Sequence, residues 1–172
     1  MPTLGAQGGA AAAAAPTAAG DAKLEVDFSG RWIKDGQRST PMTDALRVMQ
    51  IGGIMRQAIK LVRGCNISQT DDEFVMDITS VIGWFKVRET YKLNGEVSSN
   101  RRRDFRRGGA RGVARAAARD KLELKLEFDD PNGGVNVDEF TMPAPDELHI
   151  KTLLTTTAGE ATEFTQVYRR AG

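Results

Sequence analysis

The sequence has one cysteine, Cys65, and one histidine, His149, in 172 residues. A lone cysteine excludes a framework of internal disulfides and suits a reducing compartment, so the expected location is the cytoplasm. A lone histidine, with no cysteine or carboxylate cluster at ligand spacing, matches no metal-site pattern, and neither a metal nor another cofactor is expected. No apolar run reaches the ~18 residues that span a bilayer. Neither sign of charge dominates: 24 Lys and Arg stand against 23 Asp and Glu, so any electrostatic targeting must come from a local patch. A Ser-His-Asp constellation, a phosphate-cradling glycine loop and a paired-carboxylate motif are all missing. Catalysis needs such groups held in geometry, and the expectation is a protein that is not an enzyme.

The first twenty residues carry no charge and are mostly Ala and Gly, with six alanines from Ala10 to Ala15. A secretory signal needs a basic start and a stronger apolar stretch, and a transit peptide needs Arg and Ser. Residues 1–22 are therefore read as a flexible tail, and residues 23–172 as one domain.

Leu24, Val26 and Phe28 alternate with charged residues, as in a strand with one buried face. Thr43 and Asp44 mark a helix start, with Thr43 as cap, and that helix runs to about Gln50. Gly52-Gly53 breaks the pattern. A second helix over about Ile54 to Arg63 carries an apolar stripe of Ile54, Met55, Ala58, Ile59 and Val62, and Gly64 stands where a C-cap glycine is expected. After Cys65 the period changes to two. Asn66 to Thr70, Phe74 to Ser80, Phe85 to Leu93, Lys121 to Phe128, Val135 to Phe140, Leu148 to Thr156 and Glu163 to Arg170 read as strands. Turn signals such as Asn94-Gly95, Pro131 to Gly134 and Pro143 to Pro145 separate them. Within residues 101–119 the four-residue spacing of Arg111, Arg115 and Arg119 fits either a helix or a strand. The strands on either side favour a strand there, with Gly108-Gly109 as a turn or bulge.

This order of elements predicts an all-β fold: a ten-stranded antiparallel up-and-down barrel with a two-helix cap after the first strand. A closed meander removes exposed edges, and about ten strands leave room for a small ligand. The two helices cannot sit within the sheet, so they are expected to cap one open end, apolar stripe inward.

Several local features resemble the intracellular lipid-binding proteins, the family of fatty-acid-binding and retinoid-binding barrels. Phe28-Ser29-Gly30-Arg31-Trp32 is similar to the family's opening strand. The helix pair with Gly52-Gly53 at its break, Phe85-Lys86 with Glu89, the turn at Gly95-Glu96, and Thr165-Gln166-Val167-Tyr168-Arg169-Arg170 follow in the family's order. The resemblance covers roughly residues 24–172. Lipocalins share the opening motif but lack the early helical pair, and match less well.

The resemblance implies non-covalent binding and transport of an apolar small molecule. Family members that bind carboxylates use an Arg-x-Tyr pair on the last strand and an arginine on an earlier one. Here Tyr168 is kept, the arginine position holds Gln166, and an ungapped match puts the earlier arginine position at Thr141. An amide carries no charge, and a buried carboxylate without a cation is costly. The expected ligand therefore has a neutral polar head, unless an arginine from residues 101–119 reaches its carboxylate. Gln166 could equally complete a polar network of the barrel. Ile150, Thr152 and Leu154 share a face and should point inward, as should Met55 and Ile59 from the cap. His149 should point out.

Residues 101–119 hold eight arginines: Arg101, Arg102, Arg103, Arg106, Arg107, Arg111, Arg115 and Arg119. Three readings stay open: a solvated face, a surface for an anionic membrane or an acidic protein, and an inward set that meets an anionic ligand. Nucleic acid is disfavoured, since only Phe105 lies among these arginines as a stacking platform. The rival to ligand transport by a monomer is a filled barrel that docks through this segment. A cavity of ~300 Å³ or more with apolar walls would favour the ligand.

Overall fold

In the computed structural model, which describes residues 23–172, twelve elements follow the expected order. They are β1 (Gly30–Lys34), α1 (Thr43–Val48), α2 (Gly53–Lys60), β2 (Val62–Gln69), β3 (Glu73–Ser80), β4 (Lys86–Lys92), β5 (Ser98–Arg101), β6 (Gly109–Ala118), β7 (Lys121–Phe128), β8 (Gly134–Ala144), β9 (Glu147–Thr156) and β10 (Ala161–Arg170). The tail assigned to residues 1–22 lies outside the described residues. All ten strands belong to one antiparallel sheet in the order β4-β3-β2-β1-β10-β9-β8-β7-β6-β5, so the meander curls round until β1 pairs with β10. The two ends of the sheet, β4 and β5, meet without a ladder. Asn100 bridges them instead: its amide oxygen accepts from the Thr90 N–H (3.0 Å) and its amide nitrogen donates to the Thr90 carbonyl (3.1 Å). The Lys92 N–H likewise donates to Ser98 Oγ (3.1 Å), so side chains of β5 satisfy edge groups of β4 that a neighbouring strand would take.

Period-two patterning sorts the faces. On β7, Leu122, Leu124 and Leu126 are buried while Glu123, Lys125 and Glu127 alternate with them. The buried set joins Phe28, Trp32, Phe74, Phe140 and Leu148 in one cluster that fills one end of the barrel. Phe140 sits at its centre, with edge-on contacts to Phe28 and Phe74 at centroid distances of 6.1 and 5.2 Å.

Five local expectations are corrected. Leu24 to Phe28 does not join the sheet. The N–H groups of Glu25 and Val26 both donate to the Arg119 carbonyl, and the Gln69 side chain bonds the backbone of Val26 and Phe28. The alternation there reflects a segment that packs Phe28 into the core without a partner strand. Thr43 is not a cap: Met42 is, with no side-chain bond, because the preceding loop is fixed from outside. The Thr40 N–H donates to Thr165 O, and the Thr165 N–H donates to Thr40 Oγ1. Helix α2 ends at Lys60, and Gly64 is no C-cap. It lies in β2, where an added Cβ would stand 1.9 Å from the Trp32 carbonyl oxygen, so glycine permits the close β1–β2 approach. Ile54, assigned to the inward stripe, is exposed. Finally, β8 runs on through Pro143 to Ala144, with a register shift between Thr141 and Ala144 that spares the proline a ladder bond.

The basic segment resolves as the strand reading expects, into β5, a turn with Gly108 at φ +86°, and β6. His149 points outward from β9 and lies 2.6 Å from Glu147. Glu147 also receives a two-pronged bond from Arg38 (2.6 and 2.8 Å), which ties the loop after β1 to the start of β9. The Arg38 hydrogen bonds, followed by that of His149, hold the Glu147 carboxyl at about 2. A depressed carboxyl contributes stability above its unfolded value, 4.5, and loses it as pH falls towards 2. Urea titrations of the wild type and Glu147→Gln should therefore differ at neutral pH and converge across that acid window.

Candidate ligand cavity

The end of the barrel beneath the helices is hollow. Leu46 and Met49 of the α1 region, Ile59 of α2, and Phe85, Val87 and Leu154 of the wall surround a cavity of about 210 Å³. Its walls are mostly apolar, and Met42, Met49 and Met76 add flexible side chains that can repack around a guest. Half of the barrel is therefore filled and half is open.

Polar groups converge at the inner wall. Their placement begins with Arg102, which is almost wholly buried. Its guanidinium bonds both oxygens of Asp104 (2.9 and 2.7 Å), and it reaches the carbonyls of Asp129, Pro131 (2.8 Å) and Asn132 (3.1 Å). The link between β5 and β6 is thereby stapled to the turn between β7 and β8. Arg106 extends the staple to the cap, donating to the carbonyls of Met49 (2.7 Å) and Gln50 (2.9 Å).

With that link fixed, Arg103 points into the barrel. Nε and Nη2 donate to the two oxygens of Glu89 at 2.6 and 2.9 Å, and Nη2 lies 2.9 Å from Asp138 Oδ2. Burial by itself would lower the guanidinium, but Asp138 and Glu89 outweigh it and hold Arg103 well above its ordinary value. Tyr91 donates to Glu89 at 2.9 Å, and burial, with the charge of Glu89, pushes its phenol up. On the other side, Asn136 and Thr152 both donate to Asp138 Oδ1 at 2.7 Å. One cation is thus shared by two fully buried carboxylates, which is tolerable only because nearly every polar atom has a partner.

Five of the expected ligand residues line the cavity: Gln166, Tyr168, Ile150, Thr152 and Ile59. Gln166 Nε2 donates to the Thr40 carbonyl at 2.9 Å, so its amide also anchors the loop before α1. Burial pushes the Tyr168 phenol up, leaving a neutral hydroxyl at the wall. Met55 stands back from the cavity, packed on Ala58, Phe85 and Val87. Thr141 is corrected: it pairs with the outward His149, and the inward positions of its strand are Asn136, Asp138 and Phe140. The ungapped register that selected Thr141 therefore lands on the wrong face. Lys34 also lines the cavity, and burial lowers its ammonium. Cys65 lines it too, its thiol pushed up to about 12 by burial.

The eight arginines divide. Arg102, Arg103 and Arg106 turn to the protein itself. Arg101 lies over the Phe105 ring (4.2 Å), and Arg107 is exposed. Arg111, Arg115 and Arg119 face Asp129, Glu123 and Glu25. Sequence reading missed Glu89, Tyr91, Asn136, Asp138 and Lys34. A signal for two of them was present: Glu89 shares a strand face with Val87 and Tyr91, and Asp138 shares one with Phe140. A carboxylate on an otherwise apolar face needs a buried cation.

No family model and no curated protein sequence matches the chain. Solved structures do. The fluorescent protein UnaG superposes with a TM-score of 0.64 at 21% identity, covering 84% of this chain and 97% of that one. As-p18, an extracellular fatty acid binding protein, gives 0.58 at 18% identity, covering 84% and 96%. Ten antiparallel strands, the β1–β10 closure and the helix pair after the first strand give this chain the fatty-acid-binding-protein-like, calycin-type barrel fold.

Proposed function

We propose that this protein binds a small apolar molecule non-covalently in the open half of its barrel and acts as a carrier. The observation that carries this reading is the apolar cavity beneath the helix pair, backed by a compact polar cluster. Binding sites commonly combine apolar walls with a few placed polar groups. At about 210 Å³ the space falls below the ~300 Å³ at which such sites usually begin, which favours a short or compact ligand. The inward use of Arg102, Arg103 and Arg106 leaves less of the basic segment for docking to an anionic surface, and so supports the carrier over the scaffold. A monomeric carrier in a reducing compartment suits the lone buried thiol, although As-p18 is an extracellular protein of the same fold.

Native mass spectrometry of protein purified from its own cells tests the reading. The expected spectrum shows a retained apolar mass that is released on unfolding. Bare protein, together with no uptake of the neutral dye Nile red, would overturn it.

A further inference from the structure

The polar cluster leaves one oxygen without a hydrogen bond. Asp138 is 1% exposed, and its Oδ2 is the buried side-chain oxygen that accepts no hydrogen bond among the described residues. Arg103 Nη2 forms an ion pair with it at 2.9 Å without hydrogen-bond alignment, and donates to Glu89. Asp138 lines the cavity. A buried acceptor left open is costly, and such an atom on a residue beside a cavity calls for a donor from a guest.

We infer that the ligand carries an uncharged hydrogen-bond donor, a hydroxyl or an amide N–H, and gives it to Asp138 Oδ2. This deepens the binding reading proposed above and rests on it. The groups facing Asp138 decide against a ligand carboxylate at this spot. Arg103 already serves Glu89 and Asp138, so a third anion would meet two carboxylates and one shared cation. A carboxylate would have to turn to Lys34, whose burial disfavours the charged ammonium. An ammonium ligand would gain from Asp138 but would stand beside the Arg103 guanidinium and lose its own water. A neutral donor avoids both costs. Gln166, in place of a charged residue on β10, fits the same neutral environment.

Competition against Nile red with chains of one length separates these cases in the wild-type protein. Octanol should bind at least about tenfold more tightly than octyl methyl ether, which lacks the donor, and than octanoate at neutral pH, the size expected of one hydrogen bond to a charged acceptor. Asp138→Val should erase the gap between alcohol and ether. Asp138→Asn keeps a weaker, neutral acceptor and should narrow the gap. Ether or octanoate binding as well as octanol would overturn the inference, and so would octylammonium binding more tightly than octanol. If Asp138→Val does not fold, the wild-type series and Asp138→Asn decide. Failure of every chain and of Nile red to bind would instead overturn the binding reading itself.

Discussion

Replacing Arg103 by methionine should destabilise the fold by about 3–5 kcal/mol, the cost of leaving buried charges without their partner. The variant keeps most of the side-chain volume and removes the one cation between Glu89 and Asp138, both essentially inaccessible to water. Each carboxylate then relies on neutral donors alone: Tyr91 for Glu89, and Asn136 with Thr152 for Asp138. For a domain of this size the loss corresponds to a fall in Tm of roughly 6–20 °C. Urea denaturation checks it. The triple variant Glu89→Gln, Arg103→Met, Asp138→Asn should recover much of the stability, because a buried ion cluster is worth little against a neutral replacement and costs most when half is removed. Arg107→Met, four positions along the same segment and exposed, should change stability by no more than about 0.5 kcal/mol. Equal effects at Arg103 and Arg107 would contradict the division of these arginines.

The second large effect is expected at the filled end. Phe140→Ala should cost about 3–5 kcal/mol, the sum of lost transfer energy and an uncollapsed void. Phe140 has no exposed surface, and Phe28 and Phe74 close on it from two sides, so little nearby can move into the space. Denaturant midpoints should fall while the slope of the transition stays the same, since the surface exposed on unfolding barely changes. A loss below about 1 kcal/mol would mean that this end is looser than its packing implies.

These two sites show what was legible in the residues. Leu122, Leu124, Leu126 and Phe140 announce their faces by alternation, and turn signals separate most neighbouring strands, so the barrel could be read before it was seen. The helix starts could not. Thr43 looks like a cap, but hydrogen bonds between Thr40 and Thr165, 125 residues apart, set where α1 begins. Gly64 looks like a helix end, but the approach of the Trp32 carbonyl makes it a strand residue.

The same division runs through the cavity. The strand order, the helix pair after the first strand and the uncharged Gln166 two residues before Tyr168 are legible in the residues alone, because period and turn chemistry are local. That one end of the barrel is packed and the other hollow, and that Arg103 leaves its basic neighbours to enter the interior, emerges only once the chain is folded. Those outcomes depend on which side chains meet across the barrel. Arg103, Glu89 and Asp138 come from separate strands and a turn, and burial, which no local pattern records, makes their meeting obligatory.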